Sequence, residues 1–162
     1  GPWADVKTVT TSVDTDSLGR YTIAVKPSQS TYYRLRFFST ADGSYGPSIS
    51  TIVRITVRPL VGKPLAPVAV KAGKTFTVSG TLRPRFTAGT RTVKIMIYRF
   101  ANRRWTLVRQ VSAVNANQGA ATKYAVKLRL AARGSYRYRA STPASTAWAA
   151  GTSAWSKTMV VR

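Results

Sequence analysis

The chain contains no cysteine, no histidine and no glutamate, and its only acidic residues are Asp5, Asp14, Asp16 and Asp42. Without histidine or cysteine there is no Ser-His-Asp triad, no thiol nucleophile and no zinc site of the usual ligand types. Disulfide bonds are excluded as well, so the fold must be stabilised by its own core. The composition therefore predicts a protein that is not an enzyme and that needs neither a cofactor nor a metal.

Long apolar segments are also missing. No apolar run approaches the roughly 20 residues that a membrane-spanning helix needs. The N-terminal residues do not show the basic and then apolar layout of a secretory signal. We therefore expect no insertion of this chain into a membrane.

Positive charge is abundant and unevenly distributed. The 162 residues include 26 Lys+Arg, which gives a formal net charge of +22. Residues 1–58 hold all four acids, whereas residues 59–162 hold 19 basic residues and none that is acidic. The hydrophobic fraction of 44% is that of a packed protein rather than a disordered basic tail. A strongly basic surface favours an anionic partner: nucleic acid, an acidic cell-wall polymer or a membrane surface.

Apolar and polar residues alternate with period two in many short segments, which is the pattern of half-buried β-strands. These segments are residues 21–25, 33–37, 53–57, 76–78, 93–97, 124–128, 136–139 and 159–161. Turn-forming residues separate them, among them Gly73-Lys74, Gly89, residues 115–119 and Arg133-Gly134. Short strands at intervals of about ten residues predict an all-β fold, an antiparallel β-sandwich.

An internal repeat divides the chain into two unequal units. Trp3 aligns with Trp105, and residues 33–36 align with residues 136–139, so that residues 3–58 match residues 105–162. Residues 60–104 have no counterpart before Trp3. The second unit has the size of a complete immunoglobulin-like domain, and the first corresponds to its C-terminal half.

We therefore predict three parts: a partial immunoglobulin-like repeat that lacks its N-terminal strands over residues 1–58, a Pro-rich linker over 59–67, and a complete immunoglobulin-like domain over 68–162. Half a sandwich exposes an apolar face and unpaired strand edges. We expect the first unit to be completed by upstream repeats or by other copies of the chain.

Several segments resemble known proteins. Residues 70–82, with the sequence VKAGKTFTVSGTL, are similar to the opening of tandem bacterial immunoglobulin-like repeats of actinobacterial secreted and cell-wall-associated proteins. Residues 93–99 followed by Trp105 resemble the third strand and tryptophan of those repeats, and residues 15–21 and 31–37 resemble their "T-D-x-x-G-x-Y" turn and "T-Y-R-L-R-F" strand. The resemblance implies immunoglobulin-like sandwiches in tandem, an extracellular or cell-surface location, and a structural or adhesive role.

Two patterns could indicate other chemistry. Asp14 and Asp16 alternate in a glycine-containing turn, as the first ligands of calcium loops do, but no further acid follows before Asp42. We interpret them as residues that cap backbone amides in a turn. A Ser–Lys catalytic pair is not excluded by composition, although no G-x-S-x-G nucleophile motif occurs.

The phase of the alternation separates a predicted core from a predicted binding surface. The predicted core is Phe76, Val78, Val93, Ile95, Trp105, Tyr124, Val126, Leu128, Tyr136, Tyr138 and Val161. The opposite phase is basic, and arginine's planar guanidinium matches carboxylate and phosphate groups with two hydrogen bonds. We predict that an acidic polymer binds to Lys94, Lys127, Arg129, Arg137 and Arg139. The other interpretation of these residues is a solvated face that serves solubility alone.

The sequence thus favours a non-enzymatic structural or adhesive module of a larger extracellular or cell-surface protein, whose cationic faces contact acidic cell-wall polymers or glycans. One alternative is a subunit of a filament or surface layer whose first sandwich is completed by strand addition from another chain. A second alternative is a nucleic-acid-binding protein. Against the latter, most tyrosines and tryptophans fall on the inward phase, and no groove-reading helix or single-strand stacking platform is evident.

Overall fold

The computed structural model describes residues 23–38, 43–44, 46–119 and 121–162, and all of the regular structure in these residues is β. The all-β prediction is therefore confirmed. The strands are β1 (Thr31–Tyr33), β2 (Arg36–Phe37), β3 (Ser48–Ile49), β4 (Val53–Ile55), β5 (Leu60–Val61), β6 (Ala69–Val70), β7 (Thr75–Arg83), β8 (Thr92–Ala101), β9 (Arg104–Gln118), β10 (Ala121–Arg129), β11 (Gly134–Thr142), β12 (Gly151–Thr152) and β13 (Met159–Val161).

Most strands belong to one large sheet, in the order β5-β7-β10-β9-β8-β11-β13-β6, with β12 paired to β11 beside this path. Neighbouring strands are antiparallel except for β13 and β6, which are parallel. Two small sheets in the first part of the chain pair β1 with β4 and β2 with β3.

One apolar core is built from the inward phase of β7, β8, β10 and β11. In β7, for example, Phe76, Val78 and Leu82 are buried while the residues between them are mostly exposed. Of the predicted core, nine residues are buried, namely Phe76, Val78, Val93, Ile95, Tyr124, Leu128, Tyr136, Tyr138 and Val161. Val126 is partly buried and packs against them.

Trp105 was predicted in the core, and this prediction is wrong. Trp105 is only half-buried, because β9 pairs it directly opposite Phe100, which lies on the outward phase of β8. Directly opposed residues of an antiparallel pair share one face of the sheet. The hairpin turn at Asn102 and Arg103, both with positive φ, sets this register.

Strand β9 is unusually long and links two parts of the large sheet. Its residues 104–114 pair with β8, and its residues 115–118 pair with β10. A turn was predicted over residues 115–119, but the structure places residues 115–118 in the strand and the turn at Gly119, which has φ of 56°. Asn115 is buried, and its side chain bonds the backbone of Arg91 and Thr87, so it anchors the β7–β8 loop instead of forming a turn.

Residues distant in sheet order meet inside the core. The rings of Phe76 in β7 and Tyr138 in β11 lie 6.5 Å apart between centroids, although β10, β9 and β8 separate their strands along the sheet. Tyr124 of β10 packs across its partner Gly80 in β7, and a side chain at position 80 would collide with the phenol ring. A glycine is therefore required at position 80.

The segment expected as a linker, residues 59–67, contributes to the sheet. Leu60 and Val61 form β5 on the edge of β7, Leu65 makes a bridge to Ser79, and Val61 belongs to the core. Pro64 is fully buried. These residues pack on the same sheet as residues 75–83 rather than running free of it.

The first part of the chain is far less buried. Residues 21 and 22 lie outside the described residues, and the described residues 23–25 of that predicted strand are not in a strand. The strand predicted over residues 33–37 is interrupted at Arg34 and Leu35, and the one predicted over 53–57 ends at Ile55. Seven large apolar side chains are at least 37% exposed here: Tyr32, Leu35, Phe37, Phe38, Ile49, Ile52 and Val53.

Candidate anion-binding face

Strand β11 presents two arginines on the side of the sheet that faces away from the core. Tyr136, Tyr138 and Ala140 point inward and are buried, so that Arg137 and Arg139 point outward. The register of β11 with β8 sets Arg137 opposite Tyr98, Arg139 opposite Met96, and Ser141 opposite Lys94. Lys94 and Arg139 are therefore diagonal neighbours on one surface.

An irregular return segment after β12 places a tryptophan over this surface. The Ser153 hydroxyl accepts a hydrogen bond from the Ala140 N–H (2.9 Å), and the Ser156 hydroxyl accepts one from the Tyr138 N–H (2.8 Å). The N–H groups of both serines donate back to the carbonyls of the same two residues. The segment between these anchors carries Trp155 across Arg137 and Arg139.

Arg137 is held by aromatic rings. Its guanidinium carbon lies 3.8 Å from the ring centroid of Trp155 and 4.4 Å from that of Trp105. Tyr98 meets Trp155 edge-on at 4.8 Å, and Phe100 packs against Trp105 at 5.2 Å. Cation–π contacts of this kind are worth about 0.5–2 kcal/mol each, depending on how far the cation is desolvated. We call Lys94, Tyr98, Trp105, Arg137, Arg139 and Trp155 together the outer face.

The two arginines of the outer face differ in their hydrogen bonds. The Arg139 Nε donates to the Ser153 carbonyl at 3.1 Å, and its guanidinium lies 5.2 Å from the Trp155 ring. The Arg137 Nε is buried and has no hydrogen-bond partner among the described residues. Arg137 is thus fixed by ring contacts, whereas Arg139 is fixed in part by a hydrogen bond.

The electrostatic environment is cationic throughout. All basic residues except Lys7 and Arg20 lie in the described part of the chain, whereas the four aspartates lie outside it. No side-chain carboxylate of the described residues therefore pairs with Lys94, Arg137 or Arg139. An anion bound here would not compete with a carboxylate from the described residues.

The five basic residues predicted to bind a polymer fall into two groups. Lys94, Arg137 and Arg139 come together on the outer face. Lys127 and Arg129 are exposed on β10, where they pair with Thr77 and Thr75 of β7. Because β9 separates β10 from β8, the second group is not continuous with the first.

Sequence reasoning did not find the aromatic part of the outer face. Trp105 was assigned to the core, and Trp155 lies in a segment without alternation. One signal was present for Trp105: an Asn-Arg hairpin turn pairs residue 105 with residue 100, on the same phase as Lys94. Nothing in the local sequence indicates that Trp155 folds over Arg137, because that depends on hydroxyl bonds to a different strand.

Another arginine, Arg91, has a structural role. It is only 8% exposed, and its terminal nitrogens donate to the Ser145 hydroxyl (3.2 Å) and the Pro143 carbonyl (2.9 Å). Its guanidinium also lies 5.5 Å from the Phe86 ring, which packs edge-on against Trp148. Burial lowers the pKa of Arg91 from its ordinary value. These contacts join the β7–β8 loop to the loop after β11.

The described ranges contain no group of three or more His, Cys, Asp or Glu residues that could hold a metal ion. Asp14 and Asp16, the pair weighed as calcium ligands, lie outside the described residues. Among the described residues there is also no helix long and apolar enough to cross a membrane.

No protein family and no curated protein matches the sequence of this chain.

Proposed function

We propose that the chain is a non-enzymatic structural or adhesive module of a larger extracellular or cell-surface protein, and that its outer face binds acidic cell-wall polymers or glycans. One observation carries the proposal. Lys94, Arg137 and Arg139 point outward from two adjacent strands, and no described residue supplies a carboxylate to neutralise them. A polyanion would gain several contacts on such a surface and would release its counterions.

We also propose that the fold is an immunoglobulin-like β-sandwich in tandem with a partial copy. The contact of Phe76 in β7 with Tyr138 in β11 supports two layers that face each other. The first part of β9 pairs with β8 in one layer, and its last residues pair with β10 in the other. Two sheets packed face to face enclose a core of this kind.

The hairpins of the two units support the tandem repeat. In the second unit β11 pairs with β12 and then with β13, and in the first unit β2 pairs with β3 and β1 with β4. The Ser50 hydroxyl accepts a hydrogen bond from the Leu35 N–H at 2.9 Å, and the Ser156 hydroxyl accepts one at 2.8 Å from the N–H of Tyr138, the repeat counterpart of Leu35. Hydroxyl-bonded returns of the chain at equivalent residues of both units are what a tandem repeat would produce.

The experiment that tests the proposed binding compares two double variants that remove equal charge. K94Q/R139Q neutralises cations of the outer face, and K127Q/R129Q neutralises those on β10. Retention on immobilised alginate, a polyuronate, is measured against neutral agarose from 50 to 500 mM NaCl. We expect K94Q/R139Q to reduce the affinity about tenfold and to lower the slope of log affinity against log salt by about one for each cation that no longer meets the polymer.

Two results would overturn the proposal. Retention of the unaltered protein that is no greater on alginate than on agarose would remove acidic polymers as ligands. Equal reductions of affinity in K94Q/R139Q and K127Q/R129Q would show that net charge alone, and not the outer face, governs retention.

A second candidate function is a subunit of a filament or surface layer. The observation in its favour is the exposed apolar surface of the first unit, where Leu35 is 39% exposed although its repeat counterpart Tyr138 is fully buried. Strand addition from another chain would cover such a surface. A sedimentation coefficient that rises with protein concentration favours this function. A sedimentation coefficient that stays at the value of the monomer at all concentrations contradicts it.

A further inference from the structure

We propose that Arg137 is the specificity-determining residue of the outer face and that it recognises carboxylates borne on saccharide rings. The ligand is then an acidic polysaccharide, not any polymer of negative charge. The inference rests on the proposed function and names the ligand class and the residue that selects it.

The Arg137 guanidinium is oriented by its neighbours before any ligand arrives. It lies within 4.4 Å of two indole centroids, and its Nε has no hydrogen-bond partner among the described residues. A guanidinium that is already oriented loses little conformational freedom on binding, so its donors form a prearranged fork. A planar carboxylate accepts two parallel hydrogen bonds from such a fork.

An apolar surface adjoins the guanidinium. Arg137, Tyr98 and Leu107 form a row across β11, β8 and β9, and Phe100 with Trp105 forms the next row. Leu107 is 48% exposed and Phe100 is 44% exposed. Adjacent strands are about 4.8 Å apart, so this apolar surface begins within reach of a group bound at Arg137. A sugar ring that carries a carboxylate has a C–H surface that can pack there.

The same geometry disfavours two other polyanions. Single-stranded nucleic acid gains affinity by stacking bases on free aromatic faces. Here Arg137 lies over the rings of both Trp105 and Trp155, which leaves Phe100 as the most exposed ring of the surface. A linear polyphosphate has no ring to place against Leu107 and Phe100, so it would gain from charge alone.

The other two cations contribute attraction rather than selectivity. Lys94 is exposed and carries a point charge on a flexible stem, and the Nε of Arg139 is already bonded to Ser153. Of the three cations, Arg137 alone combines contacts with two indole rings, an Nε without a hydrogen-bond partner among the described residues, and an adjacent apolar surface. It is therefore the residue at which carboxylate and phosphate ligands should be distinguished.

The test measures binding of three probes of matched charge at 150 mM NaCl by titration calorimetry: an oligomannuronate, a linear polyphosphate and an oligothymidylate. We expect the unaltered protein to bind the oligomannuronate about tenfold more tightly than either other probe. R137K keeps the charge but removes the fork, and we expect it to abolish this preference while its polyphosphate affinity stays within about twofold. R129K, on β10, is the matched control and should keep the preference.

A second variant tests the inference even if R137K does not fold. Leu107 is exposed, so L107S should fold, and we expect it to weaken oligomannuronate binding severalfold without changing polyphosphate binding. L65S alters an exposed leucine that lies on the segment before β6 and should change neither affinity.

The possible outcomes separate the two proposals. A preference that survives in R137K, or equal binding of all three probes by the unaltered protein, overturns the inference and leaves the proposed function standing. Tightest binding of the oligothymidylate overturns it in favour of nucleic acid. Binding of no probe above a neutral dextran overturns the proposed function itself.

Discussion

Two buried phenols, Tyr124 and Tyr138, occupy the centre of the core. The Tyr124 hydroxyl donates to the Gly62 carbonyl at 2.9 Å, and the Tyr138 hydroxyl contacts the Met159 Sδ at 3.4 Å. Burial raises the pKa of both phenols above the ordinary value of about 10. Above that pH the unfolded chain loses protons from these groups while the folded chain keeps them.

This difference predicts the direction of a pH dependence. A raised folded-state pKa stabilises the protein fully below the unfolded value, and the stabilisation is lost as pH rises towards the folded value. Above pH 10, each such phenol then lowers the free energy of unfolding by about 1.4 kcal/mol per pH unit. We expect Y124F to be less stable at pH 8, because it lacks the bond to Gly62, but to show a shallower decline from pH 9.5 to 11.5. Urea unfolding at each pH measures this, and parallel declines in the two proteins would contradict it.

At the same scale, Trp105 shows where sequence reasoning succeeds and where it fails. Alternation identified nine buried residues because they lie in strands whose two faces differ strongly in polarity. Trp105 was predicted in the core because aromatic side chains were expected to point towards it. The register of β9 with β8 instead places Trp105 on the face of the sheet that points away from the core. The pairing with Phe100 follows from a two-residue turn, and that turn was not recognised.

Among the elements, the return segment between β12 and β13 is the most informative. Ser153 is buried, and its hydroxyl accepts the Ala140 N–H while donating to the Ala154 carbonyl. A hydroxyl here replaces the backbone carbonyl that a regular strand would offer. The chain can therefore leave the regular ladder without leaving the Ala140 N–H unpaired.

Removing that hydroxyl should destabilise the hairpin. We expect S153A to lower the free energy of unfolding by about 1–3 kcal/mol, since a buried N–H loses its acceptor. Hydrogen exchange of the Ala140 amide should become faster relative to amides of β7. S112A is the matched control, because Ser112 is exposed on β9 opposite Lys94.

The prediction for S153A would be contradicted by equal unfolding free energies in S153A and S112A. It would also be contradicted by unchanged exchange at Ala140, which would mean that another acceptor replaces the hydroxyl.

Strands were easier to predict than their interruptions. Period-two patterns located β7, β8, β10, β11 and β13, because each has a face in the core. The patterns did not locate β9. Its end at residues 115–118 was predicted as a turn, since a buried asparagine that anchors a loop has the same local sequence signal as a turn. For the candidate site, the phase of β11 predicted the outward arginines, but the ring contacts depend on residues far apart in the chain.

For the whole molecule, charge is the dominant physical property. The described residues carry almost all of the basic side chains and none of the acidic ones. Mutual repulsion of these charges opposes the compact state. It is screened over about 10 Å at 0.1 M salt and over about 3 Å at 1 M.

The protein should therefore be stabilised by salt. We expect the thermal unfolding midpoint to rise by at least about 3 °C between 10 and 500 mM NaCl, which corresponds to roughly 1 kcal/mol for a chain of this size. Differential scanning calorimetry measures the shift. A midpoint that stays constant or falls over this range would show that repulsion between the basic side chains does not limit stability.

The contacts of Arg137 also give the protein an intrinsic optical reporter. Two of the four tryptophans, Trp105 and Trp155, lie against a single guanidinium, and the emission of an indole responds to charge beside its ring. An anion that bonds to Arg137 would partly neutralise that charge and shift the intrinsic fluorescence of both rings. Occupancy of this surface can therefore be followed in the unlabelled protein.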